Sequence, residues 1–487
     1  MLNIPSVTST LFKILNADKL MVSSKLLFKL KTVKTISGAF DYKSKEFELV
    51  INTDSRSFKA GETFVALIGE NFDAFNYVEG VLENNAKVVV FNSNTEREEM
   101  LPMLAAFYPK TLFITVNDTL AFLQELATQH MDAWKKADKE RKVIGVTGSN
   151  GKTTHKEMIY FLLNSILPNK VLATKGNLNN HIGVPLTIFK LTKKHKIAII
   201  EMGMNHAGEI QVLCDIAKPE HGMITNIGAA HIEFLKTMEN IFKEKGTLYD
   251  NVVKNSKGKG IFVVNGDDQY LCRLKPSKGL SLYGELNGEI KIEINGEKIL
   301  INLDNKCLLI NNKNISEHHN LKNLAGTAIF AMKLFPKKAA LVIEAASNYQ
   351  QPSMNRSQWE GHIFLDAYNA NPSSMRVSID SFVTIMKNKN ISLDDCYFVL
   401  GDMNELGDHT PEMHKEIAKH VKDLGIKNVS FIGRYREFYL EGLSEPVSSF
   451  ATKQEFHEEW KSIRTKYKYV FVKASRSLQL ETLMTIV

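Results

Sequence analysis

The most explicit chemistry in this sequence lies in a glycine-rich turn that carries a lysine and two hydroxyls, Gly145-Val-Thr-Gly-Ser-Asn-Gly-Lys-Thr-Thr154. Backbone N–H groups of a glycine turn that opens a helix are natural donors to phosphate oxygens. Gly148, Ser149, Asn150, Gly151, Lys152, Thr153 and Thr154 are therefore candidates for binding the phosphates of a nucleotide. Lys152 would place a point charge at the β and γ phosphates, and the Thr153 hydroxyl would be a ligand for Mg²⁺. Val146 stands where the strict P-loop spacing has its first glycine, so the turn is a variant of that motif.

Other clusters repeat the pattern of a buried strand followed by polar residues. Glu201 closes the apolar run 197–201 and opens Glu201-Met-Gly-Met-Asn-His-Ala-Gly-Glu209. A carboxylate at that edge of a parallel sheet, near a phosphate loop, could hold Mg²⁺ through oxygen. Thr225-Asn-Ile-Gly-Ala-Ala-His-Ile-Glu233 places His231 after another strand. Asn177-Leu-Asn-Asn-His-Ile-Gly-Val-Pro185 gathers amides, with Asn177 and Asn180 as candidate donors to a polar ligand. Asp366-Ala-Tyr-Asn-Ala-Asn-Pro372 and Gly401-Asp-Met-Asn-Glu-Leu-Gly407 follow strands near the C-terminus. Each of these could equally be an ordinary capping turn or a solvated acid.

The elements that must position these groups read as α/β throughout. Residues 48–52, 63–67, 87–91 and 112–116 form strand-like runs with polar or helical stretches between them. Residues 129–141 are dense in charge and mark a first boundary. The strand 142–147, the glycine turn and an apolar-periodic helix over 155–167 open a second unit. Its further strands at 197–201, 222–226 and 260–264, with helices between, predict a doubly wound, mostly parallel sheet. Residues 286–315 alternate as a hairpin-rich excursion, and 318–334 reads as a helix. Pro336 and the Lys337–Lys338 pair mark a second boundary. Strands at 363–366, 396–400, 429–432 and 469–472, with a helix at 411–423, complete a third unit. The expected domains are 1–138, 139–336 and 337–487.

Length and composition agree with this division. At roughly 150 residues per domain, 487 residues suggest about three. Hydrophobic residues are 44% and charged residues 24%, which excludes a disordered or fibrous chain. The longest apolar runs are strand-sized, so no membrane span is expected. Four scattered cysteines without metal-ligand spacing argue against a zinc site and suit a reducing, cytoplasmic compartment. The N-terminus lacks the apolar core of a secretory signal. The net charge, 61 − 54 = +7, is spread along the chain, which suits a phosphorylated ligand and excludes a nucleic-acid partner.

Taken together, Thr147-Gly-Ser-Asn-Gly-Lys-Thr-Thr154, Glu201-Met-Gly-Met-Asn-His-Ala-Gly-Glu-Ile210, Ala230-His-Ile-Glu233, His319-Asn-Leu-Lys-Asn323, Asp366-Ala-Tyr-Asn-Ala-Asn-Pro372 and Gly401-Asp-Met-Asn-Glu-Leu-Gly407 resemble the Mur ligase family, in order, over about residues 53–476. Within it the motifs are most similar to the member that joins D-alanyl-D-alanine to UDP-N-acetylmuramoyl-tripeptide. The resemblance implies a UDP-sugar-binding first domain, a central ATP-binding domain and a Rossmann-like C-terminal ligase domain. It implies ATP and two Mg²⁺ ions, with Thr153 and Glu201 holding one and His231 the other. Lys245 would be carbamylated and bridge the metals. Asn320 and Asn323 would reach the adenine, and Arg356 and Asp366 the nucleotide's phosphate and ribose. Asp54, Ser55 and Arg56 would belong to the UDP-sugar site, with Phe64-Val-Ala-Leu-Ile-Gly69 beside them. Ser475 and Arg476 would form a C-terminal substrate element. The implied enzyme is a cytoplasmic monomer. Two alternatives remain: a sister ligase of the folylpolyglutamate or cyanophycin synthetase type, and a non-catalytic nucleotide-binding scaffold. Residues 24–47 read as an insertion before the first substrate motif.

Overall fold

Apolar β-branched runs decide the architecture. The strands Lys142–Thr147, Ile197–Glu201 and His221–Ile224 are buried along nearly their whole length, as strands covered on both faces by helices must be. The computed structural model describes residues 20–23, 27, 30–38, 46–352 and 358–485. Within them, three larger sheets of five, nine and six strands follow one another along the chain.

The nine-stranded sheet positions the phosphate loop. Lys142–Thr147 lies between Ile197–Glu201 and His221–Ile224, parallel to both. The chain leaves it for the edge strand Val171–Ala173, returns through Ile197–Glu201, and then crosses to its other side. Where strand order reverses in this way, the crevice beyond the carboxyl ends is where ligands bind. The sheet continues in parallel through Phe262–Asn265 and Leu280–Gly284 to Ile290–Asn295. It ends in the antiparallel meander Ile290–Asn295, Lys298–Leu303 and Lys306–Asn311, as the polar–apolar alternation predicts.

Both expected boundaries differ from the observed packing. Residues 129–141 fall largely within the helix Thr119–Lys136, whose exposed charges conceal a buried face. Phe122, Leu123 and Leu126 pack in the first core, while Ala127, Met131 and Trp134 join the core beneath the central sheet. The Trp134 indole donates to Thr192 O at 3.0 Å. This helix therefore splints the first two sheets. Pro336 likewise does not end the central unit. It starts the short turn Pro336–Lys338, after which helix Ala339–Asn348 buries Val342, Ala345 and Ala346 in the core that holds Ile144 and Ile159. Proline at the first turn of a helix costs little, because the N–H it lacks has no partner there. Tyr349 still packs in that core against Phe161, so the packing break follows Tyr349.

The first sheet orders its strands as Val33–Ser37, Leu112–Val116, Val88–Asn92, Thr63–Val65 and Ile51–Asn52. Val33–Ser37 runs antiparallel to Leu112–Val116, so part of the expected 24–47 insertion is an edge strand. Much of the rest of 24–47 lies outside the described residues. In the third sheet, Ile363–Asp366, Tyr469–Lys473, Cys396–Gly401, Val429–Ile432 and Ser448–Phe450 run parallel, and Gln358–Glu360 forms an antiparallel edge. Its carboxyl edge contributes to the same cavity as the phosphate loop.

Candidate active site

A cavity of about 640 Å³ opens between the central and third sheets. Ser149 through Thr154, Asn177, Asn180, Glu201, His231, Asn320, Asn323 and Asp366 all line it. These residues span more than two hundred positions in sequence; most come from strand ends or helix starts, while Asn177 and Asn180 lie in the loop between Val171–Ala173 and Gly183–Ile188.

The phosphate loop is shaped by its glycines and fixed by its neighbours. Gly148 has φ of 148°, and a Cβ there would sit 1.8 Å from Thr225 Oγ1, so no other residue fits. Gly151 caps the helix Lys152–Ile166 in the left-handed region. Ser149 N–H donates to Asn226 O, and the Ser149 hydroxyl donates to Gly228 O at 2.8 Å. The Asn150 N–H donates to Asn226 Oδ1 at 3.0 Å. The Lys152 ammonium donates to Gly148 O at 2.7 Å and Ser149 O at 3.1 Å. Its charge thus lies over the loop and also acts on the Glu405 carboxyl.

Glu201 is 1% exposed. Its Oε1 accepts from the Thr153 hydroxyl at 3.2 Å and from Asn179 Nδ2 at 2.8 Å. Its Oε2 is buried with no hydrogen-bond partner. A buried carboxylate oxygen left bare in this way is costly unless something positive or protic meets it. Lys245, on helix Met238–Ser256, is also buried. Burial holds its pKa well below the ordinary lysine value, Lys152 lowers it further, and Glu244 acts in the opposite direction. Lys245 does not itself line the cavity.

The third sheet contributes Asp366 and several groups that sequence reading left without a role. Asp366 Oδ2 accepts from Lys473 Nζ at 2.5 Å and from Ser378 Oγ at 2.8 Å. Burial alone would raise the Asp366 pKa, but the Lys473 charge and these hydrogen bonds outweigh it and hold the carboxyl below its ordinary value. The His319 ring Nδ1 lies 2.8 Å from Ser381 Oγ across the two units. Burial depresses His319 to about 4, so the ring is neutral near pH 7. His231 Nδ1 lies 2.6 Å from Glu405 Oε2, and this contact, against burial, holds the Glu405 carboxyl below its usual range. Asn320 is buried and lines the cavity, with its Oδ1 accepting from Asn323 Nδ2 at 3.4 Å. Lys473 ends a buried strand at the carboxyl edge, the same positional signal that marks Glu201. Glu405 lies inside a motif singled out in the sequence.

Several expected residues fall elsewhere. Arg356 lies outside the described residues. Asn180 does line the cavity, but its Oδ1 accepts from the N–H groups of Ile182 and Gly183 and so caps the helix Gly183–Ile188. Asn179 is the amide that reaches Glu201. Asp54 and Arg56 form a bidentate pair, with Nε and Nη2 each 2.8 Å from the carboxylate, which lowers Asp54 to about 2. The pair is exposed on the first sheet, with Ser55 in the turn between, and none of the three lines the cavity. Ser475 is buried, with its Oγ accepting from Asn404 N–H at 3.1 Å. Arg476 pairs with Glu481 over the ring of Tyr368. Neither Ser475 nor Arg476 reaches the cavity, although Tyr368 does.

Comparison with known proteins places this arrangement. Residues 146–332 match the Mur ligase middle domain, and residues 354–476 match the Mur ligase glutamate ligase domain. The UDP-N-acetylmuramoyl-tripeptide–D-alanyl-D-alanine ligase of Bacillus subtilis is 30% identical over 449 residues, which cover 89% of this chain and 92% of that protein. The Escherichia coli protein of the same name is 27% identical over 448 residues, covering 88% and 92%. A crystal structure of MurF from Acinetobacter baumannii superposes with a TM-score of 0.76 at 27% identity, over 91% of this chain and 93% of that one.

Proposed function

The chain belongs to the Mur ligase family, and we propose that it joins D-alanyl-D-alanine to UDP-N-acetylmuramoyl-tripeptide with cleavage of ATP to ADP and phosphate. The product is UDP-N-acetylmuramoyl-pentapeptide, and the reaction is a cytoplasmic step of peptidoglycan synthesis. The observation that carries this reading is the shared cavity, which joins the phosphate loop of the central sheet to the carboxyl edge of the third. Amide ligation must bring three anionic or nucleophilic partners together, and that requires walls from more than one unit. Free cysteines alone fit a reducing compartment. Among the described residues no helix is long and apolar enough to cross a membrane.

The tripeptide's terminal carboxylate attacks the γ-phosphorus, and the bond to the β–γ bridging oxygen breaks to release ADP. Lys152 and the loop N–H groups offset the charge that spreads over the phosphoryl oxygens. The amine of D-alanyl-D-alanine then attacks the acyl phosphate carbon, phosphate leaves and the nitrogen loses a proton. Asn320 and Asn323 would receive the adenine. Asp366, kept ionised by Lys473, would accept from the ribose hydroxyls. Arg356 would contact the nucleotide's phosphate, the exposed Asp54–Arg56 pair would meet the UDP moiety on the first sheet, and Ser475 and Arg476 would complete the substrate contacts.

The residues present fit Mg²⁺. Glu201 Oε2 is a bare buried oxygen beside the Thr153 hydroxyl, the hard donor type this ion takes. A second ion would be held at His231, where Glu405 adds a carboxylate. Among the described residues no three His, Cys, Asp or Glu cluster as a metal cage, so phosphate oxygens and water would complete the coordination. Bound Mg²⁺ would supply electrostatic stabilisation of the phosphoryl oxygens. Glu201→Gln should weaken Mn²⁺ binding in the presence of ADP by about tenfold or more, the loss that even an outer-shell change brings. Paramagnetic resonance would read it, and unchanged affinity would remove Glu201 from the metal site.

A carbamate at Lys245 is supported only by its buried amine, whose neutral form burial favours, and Lys245 does not line the cavity in which it would bridge metals. CO₂ adds only to the neutral form, and the product offers two oxygens in place of a cation. Labelled bicarbonate should give a carbamate carbon resonance that Lys245→Ala lacks. Its absence from the enzyme loaded with nucleotide and metal would exclude the modification.

ADP release on adding UDP-N-acetylmuramoyl-tripeptide, with and without D-alanyl-D-alanine, tests the reaction itself. Pentapeptide product with both substrates establishes it. Nucleotide binding without turnover would make the chain a scaffold, and turnover with a different amine would make it a sister ligase.

A further inference from the structure

Asn150 is anchored in two units at once. Its backbone belongs to the central sheet: its N–H donates to Asn226 Oδ1, and its carbonyl accepts from the Thr225 hydroxyl and from Asn226 Nδ2. Its side chain is bonded entirely to the third unit. Asn371 Nδ2 donates to Asn150 Oδ1 at 2.7 Å, and Asn150 Nδ2 donates to Asn371 Oδ1 at 3.3 Å and to Ser373 Oγ at 3.1 Å. Asn371 is itself fixed. It caps helix Pro372–Asn388, accepting from Ser374 N–H at 2.9 Å, while its own N–H donates to Ser374 Oγ at 3.0 Å. Close approach is allowed by Gly228, where a Cβ would stand 2.4 Å from Ser373 Oγ.

We propose that the reciprocal Asn150–Asn371 amide pair, seconded by Ser373, is a positioning contact that sets the third unit's distance from the nucleotide phosphates. A reciprocal amide pair has one geometry in which both bonds form, so it fixes orientation as well as distance. One end is the phosphate loop, whose backbone is clamped. The other is the first turn of a helix that starts six residues after Asp366 and carries Ser378, a partner of the Asp366 carboxylate. Asp366 and Tyr368, which line the far wall of the cavity, are thereby placed relative to the phosphates. Misplacing reacting groups by a fraction of an ångström to an ångström lowers a rate without altering the loop N–H groups that bind phosphate. The inference rests on the nucleotide reading of the cavity.

The test uses the full chain with Asn150→Ala, Asn371→Ser and the double variant. Serine at 371 keeps a capping oxygen for the helix but is too short to reach Asn150, and matched thermal unfolding would show that the fold is intact. Calorimetry with a non-hydrolysable ATP analogue gives the affinity, and steady-state ligation gives kcat. Each single variant should lower kcat about tenfold, a coupling typical of neighbours in one hydrogen-bond network, while nucleotide Kd moves less than about threefold on the same scale. The double variant should be no worse than the poorer single one, because both remove the same contact. Hydrogen exchange in the first turn of helix Pro372–Asn388 should lose its nucleotide-dependent protection in all three. Multiplied losses in the double variant, or protection that persists, would overturn the positioning role. Failure of the unaltered chain to bind the analogue would instead overturn the nucleotide reading.

Discussion

Lys152→Ala should leave the fold and most nucleotide affinity in place while slowing ADP formation in a single turnover by roughly 10²–10³, the usual loss for one preorganised electrostatic group. The geometry gives the reason. The loop backbone and the Ser149 hydroxyl, not Lys152, carry the fixed hydrogen bonds to Asn226 and Gly228. The ammonium rests on two neutral carbonyls, Gly148 O and Ser149 O. Those bonds are easily exchanged for a phosphate oxygen. The charge then matters most when negative charge builds on the departing phosphoryl group, which is a demand of the transition state rather than of binding. Arginine should not rescue the loss, since a planar guanidinium cannot take the ammonium's place over the tight loop. A Lys152→Ala rate within about threefold of the unaltered enzyme, against that expected range, would remove Lys152 from the γ-phosphate.

What the sequence revealed depended on how local each signal was. The strand Lys142–Thr147, the loop after it and the helix Lys152–Ile166 are contiguous, and their apolar periodicity, glycines and lysine can be read together. Glu201 and Asp366 stood out for the same reason, as acids at the ends of apolar strands. The helix Thr119–Lys136 was obscured because its solvent face carries the charges and its buried face serves two cores in succession. Pro336 looked like a terminator although proline at a helix start is neutral. Choosing among Asn177, Asn179 and Asn180 needed the turn geometry that sends Asn180 to a helix cap and Asn179 to Glu201. The Asn150–Asn371 pair joins groups 221 positions apart, and no local pattern encodes such a meeting. The exposed Asp54–Arg56 pair gives no such positional signal, since the two groups satisfy each other.

Lys473 is the residue whose loss should most damage stability. Its side chain is 2% exposed and that of Asp366 is 13% exposed, so Lys473→Met would leave a buried carboxylate with Ser378 as its remaining hydrogen-bond partner. Removing one partner of a buried pair costs about 3–5 kcal/mol, because the other charge is left uncompensated. The cost should depend on pH. With Lys473 present, the Asp366 pKa lies below its unfolded value. Its contribution is therefore complete above the unfolded pKa and is lost as pH falls through the folded one. Without Lys473, burial is the leading influence and acts in the opposite direction, raising the folded pKa. The variant then gains relative stability as acid protonates Asp366 and loses it as pH rises through that raised value. Urea unfolding followed by the fluorescence of Trp359 and Trp460, which pack around the third sheet, should show the deficit largest near pH 7 and shrinking towards about pH 4, the ordinary carboxylate range. Asp366→Asn combined with Lys473→Met should recover most of the loss at pH 7, since the charge is then gone from both sides. A deficit of the same size at both pH values, or no recovery in the double variant, would mean that Lys473 stabilises the sheet by packing its stem rather than by neutralising Asp366.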